Sequence, residues 1–312
     1  MNNPLPTVGD FKHKYIVLER NFMEVILKTE NLTKKYGKKV VLDKVCMSIN
    51  KGDIYGFIGK NGAGKTTFMR CVLGMAKDVH GQIEYINNHN VGSLIEAPGV
   101  YGNCTAYENM KRFAILSGCD DKDIHELLCL VGLSDVGKKK VKNFSLGMKQ
   151  RLGIAIALLG NPDFLVLDEP INGLDPAGIK EIRELILKLN KEKKITFLIS
   201  SHLLDELSNI ATKYGIINEG RLIEEITSDE LNKKCSQNLY ITVDNPSRAY
   251  DVLKDIIGED KIEVNDNSII VYSHFDDGAK INQILSQNYL YVSRIEQESQ
   301  NLEKYFIERI GE

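Results

Sequence analysis

The stretch GKNGAGKT, residues 59–66, decides how this 312-residue chain is read. It satisfies the pattern G-x-x-x-x-G-K-S/T, whose glycines let backbone N–H groups turn inward around phosphate oxygens. That chemistry needs a strand before the loop and a helix after it. "DIYGFIG" (53–59) is a strand-like run, and "KTTFMRCVLGM" (65–75) continues with helical spacing. The helix N-terminus adds positive potential at the same point. Gly59, Lys60, Asn61, Gly62, Ala63 and Gly64 thus form a candidate cradle for the phosphates of a nucleotide. Lys65 would reach the β- and γ-phosphates, and the Thr66 hydroxyl would ligate Mg²⁺. The bland alternative, a chance glycine-rich turn, fits the flanking strand and helix poorly.

Downstream, "FLVLDEP" (164–170) ends an apolar run with two adjacent carboxylates. Asp and Glu are seldom buried unless they are paired or bound to metal. In a parallel sheet this strand can lie beside the phosphate loop, where Asp168 would hold Mg²⁺. Glu169 then points a second carboxylate at the γ-phosphate, placed to polarise an attacking water. Taken alone, the pair would as readily be a helix cap or a turn. "NFSLGMKQR" (143–151) opens a helix with Ser145 and Gly147, which offer a hydroxyl and N–H groups to another phosphate. "NGLDP" (172–176) follows the carboxylates closely, and His202 follows the strand "ITFLIS" (195–200). Ligands of parallel sheets gather at that carboxyl end.

Composition narrows the class. The apolar fraction, 43%, is enough for a sizeable core, and the net charge of −3 gives no global pointer to nucleic acid. Six scattered cysteines without a C-x-x-C pair argue against a disulfide framework or a zinc site and fit a reducing cytosol. The longest apolar run, "IAIALL" (154–159), is far short of the ~18 residues of a membrane span, so work at a membrane would need another chain to cross it. Residues 1–22 lack the long apolar core of a signal peptide. They are expected to be a loosely ordered extension, with a more ordinary start at Met23.

Apolar strands and helices alternate along residues 23–226, which predicts a largely parallel, two-faced sheet. "LLDELSNIATK" (203–213) is expected to be a helix. Beyond Thr227 the character changes, with 16 acidic against 9 basic residues over 227–312. The pattern there runs strand, helix, strand, strand, helix, strand, helix, a split β-α-β order with a final helix added. The acidity fits a solvated face better than a docking surface.

In order, these motifs resemble the ATP-binding cassette family, the motor subunits of ABC transporters. The resemblance spans roughly residues 25–226. "GKNGAGKTT", which adds Thr67, looks like its Walker A loop and "FLVLDE" like its Walker B strand. "FSLGM" looks like the signature, "NGLD" with Asp175 like the D-loop, and His202 like the switch histidine. By the same resemblance Tyr36 would stack on adenine. The implied fold is α/β, a P-loop NTPase cassette. It would have a mostly parallel sheet, an antiparallel β subdomain, a helical subdomain at about 97–160, and a small α+β appendage over 227–312. The implied partners are a second copy of the chain, joined head to tail, and a membrane permease on a separate chain, with no nucleic acid. The implied location is the inner face of the cell membrane.

Two departures stand out. The signature more usually reads LSGGQ, and here Leu146 and Met148 replace its first glycine and its glutamine. Most cassettes have Gln where this chain has Glu96, which would sit near Mg²⁺ or the attacking water. "IEAPGVYGNCTAYEN" (95–109), "FSLGMKQRLGIA" (144–155) and the short appendage together look like the bacitracin and lantibiotic type of cassette, which protects bacteria from peptide antibiotics. A soluble ribosome-acting cassette usually carries two phosphate loops, and this chain has one. A DNA-repair cassette would show heptads between Lys65 and Asp168, and none occur. A non-catalytic binding module would not need Lys65, Asp168, Glu169 and His202 together. A cassette for a different substrate remains the alternative within the transporter class.

Overall fold

Runs that are apolar at every position, such as "IYGFI" and "FLVLD", need protein on both faces, and a parallel sheet between covering layers supplies it. The computed structural model is built on such a sheet. It describes residues 24–85, 90–202, 204–235, 238–272, 277–298 and 302–310. The N-terminal extension expected over 1–22 lies outside the described residues.

The chain opens with β1 (Val25–Tyr36), β2 (Lys39–Asn50), β3 (Ile54–Ile58), α1 (Lys65–Val72), β4 (Val79–Tyr85) and β5 (Val91–Leu94). Then come α2 (Ala106–Ser117), α3 (Ile124–Leu130), α4 (Leu146–Ala157), β6 (Phe164–Asp168), α5 (Pro176–Lys193) and β7 (Thr196–Ser201). They are followed by α6 (Leu204–Ser208), β8 (Lys213–Asn218), β9 (Arg221–Thr227) and α7 (Ser228–Cys235). The last part holds β10 (Asn238–Val243), α8 (Pro246–Ile257), β11 (Ile262–Val264), β12 (Ser268–Val271), α9 (Gly278–Gln287), β13 (Val292–Glu298) and α10 (Leu302–Ile310).

The main sheet has strand order β5-β6-β7-β3-β8-β9, parallel except for the antiparallel β8–β9 hairpin. Every residue of β3, β6 and β7 is buried. The antiparallel sheet β2-β1-β4 shares a core with one face of it, where Leu27 and Ile49 meet Phe57, Phe68 and Phe164. The helices α2, α3 and α4 contribute Met110, Leu127 and Leu152 to the other core. Entry into α2 is set by a capping box: Thr105 accepts the Glu108 N–H, and the Glu108 carboxylate accepts the Thr105 N–H.

The appendage has its own antiparallel sheet, ordered β11-β12-β10-β13. Leu253 of α8 and Leu285 of α9 close its core over Ile241 and Ile269. The final helix, α10, turns back instead. Its Tyr305 and Phe306 are buried with Leu207 and Ile216 in the core that α2, α3 and α4 share with the main sheet. The Tyr305 hydroxyl, Lys234 and Arg309 all meet the Glu224 carboxylate, at 2.8, 2.9 and 3.0 Å. Burial alone would raise that carboxyl, but hydrogen bonds from Lys234 and Tyr305 hold it below the usual carboxylate range.

The helix expected over 203–213 is shortened most. α6 stops at Ser208, because Thr212 donates its N–H to Ile54 and Lys213 pairs with Tyr55, so the sheet claims the end of that segment. The hairpin β8–β9 and the helix α7 are elements that the sequence reading does not include.

Candidate nucleotide-binding and hydrolytic site

The parallel register carries three strand ends to one edge. Ile58 lies opposite Ser201, and Asp168 opposite Ser200. The phosphate loop, the paired carboxylates and His202 therefore meet at the carboxyl end of the sheet, where parallel sheets bind ligands.

Two glycines of the loop are dictated by space. A Cβ on Gly59 would lie 2.5 Å from the Ile217 carbonyl oxygen. Gly64, at φ +110°, would bring one to 3.0 Å from Leu42 and the Val41 carbonyl. The loop is braced from outside, since Gly220 in the β8–β9 turn donates to the Ala63 carbonyl at 2.9 Å. Lys60, Asn61 and Gly62 are exposed, while Ala63 and Lys65 are buried and Thr67 half-buried.

The Lys65 ammonium folds back to the Gly59 carbonyl at 2.7 Å and lies 3.2 Å from Glu169 Oε1. Asp168 is buried and accepts the Thr66 hydroxyl at 2.8 Å and the Ser200 hydroxyl at 2.6 Å. The other Glu169 oxygen is 2.6 Å from His202 Nδ1. A carboxylate can only accept, so Nδ1 carries the proton and donates. Glu169 itself has φ +49°, a left-handed conformation that is costly for a residue with a Cβ.

The donors fit Mg²⁺ in part. Thr66 and Asp168 offer hard oxygens that lie together, and Mg²⁺ takes one or two carboxylates plus substrate phosphates rather than a full protein cage. Glu96 has a different hydrogen-bond partner. Its carboxylate is largely exposed, accepts from Arg70 at 2.6 Å, and among the described residues shares no hydrogen bond with Thr66, Asp168 or Glu169. It lines a groove of about 380 Å³ with Arg70, Met75, Pro98, Phe113 and Ile156. The partner it has is the Arg70 guanidinium, about one turn beyond Thr66 on α1.

The remaining candidates sit apart from this cluster. Ser145 caps α4, its hydroxyl accepting the Met148 N–H at 3.2 Å, and Gly147 occupies the first turn. Asp175 caps α5 by accepting the Gly178 N–H at 3.2 Å. Neither Ser145 nor Asp175 hydrogen-bonds to Lys65, Asp168, Glu169 or His202 among the described residues. Tyr36 is half exposed at the end of the β1–β2 hairpin, whose Val41 and Leu42 leave no room for a Cβ at Gly64, and the Lys34 ammonium lies 4.7 Å from its ring centre. Ser200 and Arg70 are the site residues that the sequence reading misses. The signal for Ser200 was a hydroxyl at the end of an otherwise apolar strand.

Residues 42–172 match the family model described as ABC transporter. The bacitracin transport ATP-binding protein BcrA of Bacillus licheniformis is 44% identical over 93% of this chain and 98% of its own. The lantibiotic transport ATP-binding protein SrtF of Streptococcus pyogenes is 46% identical over 64% of this chain and 90% of its own. Among solved structures, the ADP conformation of an ATP-binding cassette of an ABC transporter superposes with a TM-score of 0.60. It is 28% identical, over 67% of this chain and 94% of that one.

Proposed function

This chain belongs to the ABC transporter family of ATP-binding cassette ATPases, and from that premise we propose that it powers a separate membrane permease that expels peptide antibiotics of the bacitracin and lantibiotic kind. The observation that carries the catalytic part is the position of Glu169, held between Lys65 and His202 and next to the Thr66–Asp168 pair. The substrate class rests on the relatives, both transport proteins by name, which favours a transporter over a non-transport ATPase.

In this reading the loop N–H groups and Lys65 hold the β- and γ-phosphates of ATP. Lys65 leaves Glu169 for the phosphate, which frees the carboxylate to take the proton of an attacking water. The His202 N–H keeps that carboxylate oriented. Thr66 and Asp168 would hold Mg²⁺, which when bound neutralises charge on the β- and γ-oxygens. Tyr36 would stack on adenine. Ser145, Gly147 and Asp175 stand apart from this cluster, which suits residues that complete the site of a second copy joined head to tail. Glu96 has its role in the groove rather than at the metal. With Arg70 it shapes a partly apolar surface suited to the permease.

No helix among the described residues is long and apolar enough to cross a membrane. We assign the chain to the inner membrane face through its permease. Domain limits of 23–226 and 227–312 belong to the same proposal, with α10 bridging the two parts.

The test is co-expression, in a sensitive bacterium, with any permease that a neighbouring gene encodes. Resistance to bacitracin or a lantibiotic should rise and should vanish with Lys65→Ala. An active ATPase that confers no protection against any peptide antibiotic would refute the substrate assignment.

A further inference from the structure

Ser200 bridges the two acidic residues of the site. It is fully buried at the end of β7, and the parallel register sets it opposite Asp168. Its Oγ lies 2.6 Å from Asp168 Oδ1 and 2.9 Å from the backbone nitrogen of Glu169. The polarity of both bonds is forced. The carboxylate can only accept and the N–H can only donate, so the hydroxyl donates to Asp168 and accepts from Glu169. One small side chain thus ties the side chain of one acid to the peptide of the next.

That peptide is the strained one. Glu169 has φ +49°, and such a conformation persists only where its surroundings over-determine it. Ser200 anchors its N–H, and the Asn172 N–H reaches its carbonyl at 3.1 Å. Lys65 and His202 anchor its carboxylate. Of these, Lys65 is the one that ATP would draw away in the proposed reaction. His202 and the backbone anchors must then keep Glu169 aimed.

We propose that Ser200 is a positioning residue for hydrolysis: its hydroxyl locks Asp168 and Glu169 into one rigid unit, so that the metal-facing and water-facing carboxylates keep a fixed spacing through turnover. The proposal rests on the reading of Glu169 as the hydrolytic carboxylate. Among the described residues, Ser200 hydrogen-bonds to neither the loop N–H groups nor Lys65. Its loss should therefore act on kcat and leave nucleotide binding alone. A displacement of reacting groups by about 1 Å can cost on the order of 10²-fold in rate.

The experiment compares Ser200→Ala, Ser200→Cys and Ser200→Thr with wild type and Glu169→Gln. It reads kcat and KM for ATP, and also the affinity for a fluorescent ATP analogue in EDTA, a binding readout free of turnover. Ser200→Ala should lower kcat by roughly 10- to 100-fold, with KM and analogue affinity within about threefold. Ser200→Cys, whose sulfur is a weak acceptor, should resemble Ala. Ser200→Thr keeps the hydroxyl in a side chain suited to strands and should recover most of kcat. If the Ala variant fails to fold, the contrast between Cys and Thr decides. A Cys variant that also fails to fold, or Thr impaired as much as Ala, gives the residue to packing and overturns the proposal. So does a kcat within twofold of wild type in Ser200→Ala while Glu169→Gln is inactive, which leaves the reading of Glu169 intact. An active Glu169→Gln overturns that reading and the proposal with it.

Discussion

Replacing Glu169 by Gln should separate two effects that the structure places on one side chain. The amide keeps the shape of the carboxylate but cannot take a proton from water. General-base catalysis contributes about 10²–10⁴ in rate, so phosphate release should fall by that much. Affinity should move the other way. Lys65 lies 3.2 Å from the Glu169 carboxylate, and a phosphate that takes Lys65 must compete with that contact. A hydrogen bond to a charged group contributes about 1.5–3 kcal/mol, and its neutral counterpart is roughly half as strong. The amide therefore competes less well by about 1 kcal/mol, which makes ATP bind about fivefold tighter. Titration with a fluorescent ATP analogue in EDTA reads the affinity, and phosphate release with Mg²⁺ reads the turnover. Turnover within threefold of wild type would remove Glu169 from the role of base. Weaker binding would show that the Lys65–Glu169 contact does not compete with phosphate.

Three other outcomes are expected. Glu96→Gln should leave ATP affinity within a few fold, because the side chain sits with Arg70 in the groove, yet it should lower antibiotic protection in cells that carry the permease. Equal protection at matched expression would make the charge dispensable. Tyr305→Ala removes a ring that α10 buries in the cassette core, a loss of about 3–5 kcal/mol, so Tm should drop and limited proteolysis should begin at the C-terminal helix. An unchanged cleavage pattern would contradict the docking of α10. Tyr85 is pushed up to about 12 from an ordinary 10.0 by burial, and its hydroxyl donates to the Val72 carbonyl. Its raised folded pKa means stability is intact below pH 10 and falls as pH rises through the window up to about 12, by at most about 1.4 kcal/mol per pH unit. Tyr85→Phe should flatten the alkaline fall in Tm, and equal slopes would show that this phenol is not a source of it.

The phosphate loop, the Asp168–Glu169 pair and His202 were legible in the sequence because their chemistry is local. Each is a short pattern at the end of an apolar strand. What escaped depends on which strands become neighbours. Ser200 matters because parallel pairing sets it beside Asp168, and nothing in "ITFLISS" names that partner. Glu96 pairs with Arg70 across a fold contact, a partner that its position in the sequence does not name. The final helix is expected from the pattern, but the pattern does not say which core receives it. The β8–β9 hairpin was within reach. "KYGIINEGRLIEEIT" (213–227) turns at Glu219 and Gly220, both at positive φ. The helical spacing of Leu207, Ile210 and Ala211 ran into it and hid its first strand.

The measurement that bears most directly on the account is ATP turnover by the chain in complex with its permease in lipid vesicles, with and without bacitracin or a lantibiotic. The account predicts that a peptide antibiotic raises phosphate release severalfold, and that Glu169→Gln abolishes both the basal and the stimulated rate. A complex whose turnover is indifferent to every such peptide, or a Glu169→Gln complex that still responds, would contradict it.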